Sequence, residues 1–106
     1  MRVNRMTLRI RNRWKYLGDD RWDWEAFLDD DGSGELATVA SVEYILHPTF
    51  RNPVREVSSA NNQFALKTNG WGTFELKAFV NFNDGSRKKL THDIELYYDP
   101  DTGVST

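Results

Sequence analysis

The stretch Phe74-Glu75-Leu76-Lys77-Ala78-Phe79-Val80-Asn81-Phe82 decides the fold. Phe74, Leu76, Ala78, Val80 and Phe82 fall on one face while Glu75, Lys77 and Asn81 fall on the other, the period of two that a half-buried strand requires. Asn83-Asp84-Gly85-Ser86 follows with turn chemistry and leads into a second alternation, Leu90, His92, Ile94 and Leu96, so the two runs predict a hairpin. Upstream, the same period recurs at Leu8, Ile10 and Trp14, at Trp22, Trp24, Ala26 and Leu28, and at Val42, Tyr44 and Leu46. Gly18-Asp19-Asp20, Asp31-Gly32-Ser33-Gly34, Asn52-Pro53 and Thr68-Asn69-Gly70 separate these runs, and no helical stripe of useful length survives between them. Seven to eight short strands with turns at near-regular spacing predict an all-β fold, an immunoglobulin-like antiparallel sandwich of two sheets. Residues 1–100 are expected to form this single domain, with 101–106, Asp-Thr-Gly-Val-Ser-Thr, as a flexible C-terminal tail.

Composition supports one core. The chain has 106 residues, 39% of them hydrophobic, and a domain of this length buries roughly two-thirds of the surface its unfolded form exposes. With no cysteine, disulfides, thiolate metal sites and thiol nucleophiles are excluded. No apolar run is long enough for a membrane span or a signal peptide, so no membrane partner is expected; cytoplasm is the default location, the nucleus if the source is eukaryotic. Lys+Arg 14 against Asp+Glu 16 gives no global case for nucleic acid. The charge is uneven, with Arg2, Arg5, Arg9, Arg11, Arg13 and Lys15 all preceding the first acid at Asp19. Alternation with apolar or neutral neighbours favours the solvated face of a first strand over a nucleic-acid patch.

Several patterns suggest chemistry and then fall short of it. Asp29, Asp31 and Gly34 match the first, third and sixth positions of a calcium loop, but the twelfth is Ala40 and strand patterns flank the loop, so an acidic hairpin turn fits better. His47, His92 and Asp93 are too few for a metal site or a general base in context, and no nucleophile elbow or phosphate-cradling loop exists. A non-enzymatic module without cofactor or metal is expected, and His92, in phase with Leu90 and Ile94, reads as a hydrogen-bonded core histidine. Two segments combine aromatics with polar groups at turns: His47-Pro48-Thr49-Phe50-Arg51-Asn52-Pro53 and Asn69-Gly70-Trp71-Gly72-Thr73-Phe74. Glycines on both sides of Trp71 permit positive φ and close approach of backbone to a ligand. On residues alone, loop aromatics folded over the end of a sandwich and the walls of a binding slot remain equal alternatives.

These segments resemble the YEATS domain family, in its prokaryotic branch, over nearly the whole chain. Val42 to Arg55 looks like the family's strand ending in a Leu-His-Pro-(Ser/Thr)-Phe-x-Asn-Pro-x-Arg loop, and Gly70-Trp71-Gly72-Thr73-Phe74 is similar to its Gly-Trp-Gly-x-Phe segment. His92-Asp93-Ile94 and Trp22-Asp23-Trp24-Glu25-Ala26-Phe27 resemble two further blocks in the same order. The resemblance implies an immunoglobulin-like sandwich that reads acylated lysine, on a histone tail if the source is eukaryotic, in an aromatic channel at one end. It implies Phe50 and Trp71 as channel walls, Thr49 as a hydrogen-bond partner of the acyl amide, and the Trp71 backbone N–H on the acyl carbonyl. His47 would line the channel, Gly70 and Gly72 would shape its second loop, Asp93 would engage the peptide, and Trp22 is the one first-loop aromatic able to close the channel. The interval Glu56 to Gln63 departs from the family's Pro-Pro-Phe step, and acids crowd the first loop, Leu17-Gly18-Asp19-Asp20-Arg21-Trp22. The alternative is a monomeric interaction or structural module of a larger prokaryotic signalling or effector protein, its pocket closed or repurposed; a cation cage for methylated lysine is a third possibility.

Overall fold

The computed structural model describes residues 8–105. Arg2 and Arg5 of the basic start lie outside the described residues. Eight strands run in chain order: β1 Arg9–Gly18, β2 Arg21–Asp29, β3 Val39–Ile45, β4 Val54–Val57, β5 Leu66–Gly70, β6 Glu75–Phe82, β7 Arg87–Asp93 and β8 Thr102–Val104. Two short 3₁₀ turns, Glu35–Thr38 and Ala60–Asn62, lie between strands. One sheet has the order β5-β2-β1-β8 and the other β4-β3-β6-β7, and every pairing is antiparallel. The all-β sandwich expected from the alternations is the fold observed.

The inward residues of each strand make the core. From β2 come Trp22, Trp24, Ala26 and Leu28, from β3 Val42 and Tyr44, and from β6 Leu76, Ala78, Val80 and Phe82, all buried. Tyr44 is wholly buried and donates its hydroxyl hydrogen to the Phe64 carbonyl at 2.7 Å, so its polar end is satisfied; burial pushes its pKa up. On the outer face of β6, Phe79 carries the Arg87 guanidinium 4.4 Å above its ring. The β6–β7 hairpin closes as expected, with Gly85 at φ 87° and its N–H donating to Phe82 O at 3.0 Å.

The acidic turn after β2 closes on itself. Asp29 accepts the Asp31 N–H, and Asp30 accepts those of Gly32 and Leu36. Among the described residues no cluster of His, Asp and Glu is arranged to hold a metal ion.

The tail is a correction. Instead of fraying, residues 102–104 form β8 on the edge of β1, and Ser105 is buried. Ser105 N–H donates to Asn12 O at 2.7 Å, Asn12 N–H to Ser105 Oγ at 2.9 Å, and Arg11 reaches Ser105 O through Nε and Nη2 at 3.1 and 2.7 Å. The segment's polar, turn-like composition gave no sign of this, because its partners lie some 90 residues earlier in the chain.

Candidate functional site

Three chain segments meet at one end of the sandwich and enclose a cleft of about 370 Å³. The first follows β3, where Pro48 stands second in a tight turn closed by Phe50 N–H donating to His47 O at 2.9 Å. Leu46 N–H bonds Pro53 O at 2.7 Å across the loop's base, and Asn52 takes the left-handed conformation at φ 53° that asparagine tolerates well. Arg55 then staples the loop, donating through Nε to Asn52 O at 2.6 Å and through Nη2 to Arg51 O at 2.8 Å. The second segment is the β5–β6 connection, Gly70 to Phe74, and the third is Arg21 at the start of β2.

Of the residues singled out in the sequence, His47, Thr49, Phe50, Gly70, Trp71 and Gly72 all line this cleft. Thr49 N–H donates to His47 Nδ1 at 3.2 Å, so Nδ1 carries a lone pair and the ring's hydrogen is on Nε2. The Thr49 hydroxyl, 2.9 Å from the same Nδ1, therefore donates its hydrogen there as well. Its oxygen lone pairs remain as acceptors. The local His-Pro-Thr order thus fixes which role the hydroxyl can play toward a ligand.

Phe50 is half-buried, its ring against Trp24 at 6.3 Å in a T arrangement and against Phe74 at 5.3 Å, which in turn meets His47 at 6.3 Å. Trp71 is different: it is 70% exposed and has no ring partner among the described residues. The cleft lining thus holds one aromatic fixed by neighbouring rings and one exposed indole. Neither Gly70 nor Gly72 has positive φ, contrary to the conformational reason expected for them. A Cβ added at Gly70 would lie 3.5 Å from Trp24 Nε1 and 3.7 Å from Phe50 Cζ, ordinary contact distances, so close approach does not require glycine there either.

Two expected members are elsewhere. Trp22 is 4% exposed on the inward face of β2, donating through Nε1 to Tyr97 O at 3.0 Å and packed 5.0 Å from Tyr16 and from Tyr98. The period of two puts it in phase with Trp24 and Ala26, so it belongs to the core and closes no channel. Asp93 ends β7 opposite Glu75, outside the lining. Conversely, Arg21, Arg51 and Phe74 line the cleft with no such role expected of them. Phe74 was concealed by its phase with the β6 core face, and the arginines by the ordinary look of a charged loop residue.

A larger, shallower groove of about 700 Å³ crosses the outer face of the β5-β2-β1-β8 sheet. Its charged residues largely neutralise one another: Arg13 pairs with Glu25, and Lys67 lies 3.8 Å from the same carboxylate. It offers no free aromatic wall, so the end cleft is the better candidate.

Residues 22–95 match the family model of the prokaryotic YEATS domain. The chain is 32% identical over 85 residues to Protein AF-9 homolog of Kluyveromyces lactis, covering 74% of this chain and 38% of that protein. It is 38% identical over 59 residues to transcription initiation factor TFIID subunit 14 of Schizosaccharomyces pombe, covering 55% of this chain and 24% of that one. The chain therefore spans well under half the length of these curated relatives. Among solved structures, the yeast AF-9 homolog protein Yaf9 superposes with a TM-score of 0.70 at 22% identity, covering 92% of this chain and 74% of that one. The Yaf9 YEATS domain bound to H3K27ac superposes at 0.71 with 21% identity, covering 99% and 84%. At such identities these likenesses show a common fold.

Proposed function

Because this chain belongs to the prokaryotic YEATS domain family, we propose that it is a non-enzymatic reader that binds acylated lysine in the slot between Phe50 and Trp71. The observation that supports the proposal is one cleft lined by an anchored Phe50, an exposed Trp71 without a ring partner among the described residues, and a Thr49 hydroxyl oriented by His47. The Yaf9 YEATS domain, of like fold, is known bound to H3K27ac and recognising an H3K122suc peptide.

The chemistry follows from the geometry. Acylation converts a strongly hydrated ammonium into a flat neutral amide, which slides between two aromatic faces. Thr49 Oγ, its hydrogen given to His47, accepts from the amide N–H, and the Trp71 backbone N–H, one residue past β5, donates to the acyl carbonyl. Each hydrogen bond lost to desolvation is replaced, whereas an unmodified lysine would lose hydration with no carboxylate in the lining to compensate. The same lack of carboxylates argues against a cation cage for methylated lysine, and the exposure of Trp71 argues against a closed pocket. Each aromatic contact adds about 0.5–1.5 kcal/mol beyond area burial. With two hydrogen bonds and the ordering of a short peptide, affinity reaches about micromolar, near 8 kcal/mol.

A planar, unsaturated acyl group stacks over more of its length than a methyl. Calorimetric titration with matched peptides is therefore expected to rank crotonyl-lysine at least equal to acetyl-lysine, and both far above unmodified and trimethylated lysine. Equal binding of all four would remove the acyl-reader assignment. The acylated protein is the partner; the domain acts as a monomeric module in the cytoplasm, or in the nucleus of a eukaryote, without nucleic acid or cofactor.

A further inference from the structure

We infer that the slot selects acyl-lysine in an acidic sequence context, with Asp or Glu beside the modified residue. The inference rests on the acyl-lysine reading and names the class of peptide that this site takes.

Arg21 and Arg51 both line the cleft, one from the start of β2 in the first sheet and the other from the loop that leaves β3 in the second. A chain laid across the mouth passes a guanidinium contributed by each sheet. No Asp or Glu is among the lining residues. Among the other described arginines, Arg9 and Arg11 pair with Asp29, Arg13 with Glu25 and Arg87 with Glu43. Arg21 and Arg51 have no ion pair among the described residues. A third guanidinium, Arg55, lies behind Arg51 and is fixed to the loop's own carbonyls, so it adds positive charge and holds the rim in place.

Asp19 and Asp20 precede Arg21 in the chain, but among the described residues no acid pairs with Arg21 or Arg51 and none enters the lining. Asp20, next to Arg21 in the chain, accepts the Tyr98 hydroxyl at 2.7 Å. Glu75 and Asp93 face one another across the β6–β7 ladder beyond Phe74, outside the lining. A peptide with carboxylates on both sides of its acyl-lysine supplies the partners that Arg21 and Arg51 lack, while a basic peptide meets like charge on both loops. The inference thus departs from the basic sequence context of a histone tail.

The test uses acetyl-lysine peptides of one length, with Glu, Ala or Arg on both sides of the modified lysine, titrated calorimetrically. Two exposed ion pairs of ordinary strength give the Glu peptide an affinity about five- to tenfold above the Ala peptide at low salt, with the Arg peptide weakest. Raising salt from about 50 mM to about 500 mM compresses the ranking through screening. The double variant Arg21→Gln with Arg51→Gln is expected to lose most of the ranking, Arg55 leaving a small part of it, and Arg21→Glu with Arg51→Glu to prefer the Arg peptide. Both arginines are exposed, so these variants keep the wild-type circular dichroism melt. Three equal affinities in the wild type, a preference for Arg, or a Glu preference that survives charge reversal overturns the inference while leaving the reader function standing. If no acetylated peptide binds, the reader function falls with it.

Discussion

Thr49 and Trp71 show how little separates a packing residue from a recognition residue at this end of the sandwich. Both are exposed, yet the Thr49 hydroxyl is oriented by a hydrogen bond to His47, while Trp71 is left without a ring partner. Trp71→Ala is expected to abolish acyl-peptide binding by calorimetry while changing unfolding free energy by under about 0.5 kcal/mol, as for other exposed sites. A large loss of stability in that variant would make Trp71 a structural residue. The cleft residues His47, Thr49, Phe50, Gly70, Trp71 and Gly72 were legible because two short motifs carry them, each confined to one loop. Trp22 was misplaced because its aromatic character drew more weight than its phase with Trp24. Arg21 and Arg51 were missed because nothing local distinguishes an unpaired arginine from a paired one; the pairing partners come from other strands.

At the scale of elements, β8 shows what alternation cannot reveal. Three residues are too few to display a period, and their placement depends on Trp14, whose ring leaves room for glycine alone. A Cβ on Gly103 would lie 2.3 Å from the Trp14 ring. Trp14 cannot easily yield, being buried, bonded through Nε1 to Pro100 O at 3.2 Å and edge-on to Tyr97 at 5.2 Å. Gly103→Ala is therefore expected to cost about 1–3 kcal/mol in denaturant unfolding, the range for overpacking a filled site. Faster hydrogen exchange at residues 102–105, with the acyl slot unaffected, would locate the damage at this edge. Unchanged exchange there would show that β8 contributes nothing to the fold. The strands β2, β3 and β6 were legible as elements because each has one wet and one buried face, and β7 because exposed and half-buried residues alternate along it.

Across the whole molecule the two sheets are joined by a polar link as well as by the core. Asn12 on β1 donates through Nδ2 to Glu95 O at 2.8 Å and accepts at Oδ1 from Glu95 N–H at 3.0 Å and from His92 Nε2–H at 2.7 Å. The sequence marked His92 as a core histidine but gave no hint of Asn12, whose partners are some 80 residues away. Burial lowers the His92 pKa below 6.5, against the opposing pull of Glu95 and Asp93 and with slight help from Arg9 and Arg11. The unfolded chain then binds the proton more readily, so this contribution to stability is complete above pH 6.5 and is lost as pH falls from there through the folded value. The Asp31 N–H, aided by Arg11, holds the Asp29 pKa below 3.8, so the stability from Asp29 is lost only at pH below that value, in a separate window. Thermal melts are expected to show wild-type stability falling below pH 6.5. His92→Gln, which can keep a donor on Asn12 Oδ1, should flatten that limb. An unchanged slope in the variant would place the acid sensitivity elsewhere.

The most direct measurement is a two-dimensional amide NMR titration with matched unmodified, acetylated, crotonylated and trimethylated lysine peptides. Saturable shifts at Thr49, Phe50, Gly70, Trp71 and Gly72, with the acylated peptides alone, are the predicted result. Shifts confined to the outer face of β1 and β2, or equal shifts with unmodified lysine, would contradict an acyl-lysine slot between Phe50 and Trp71.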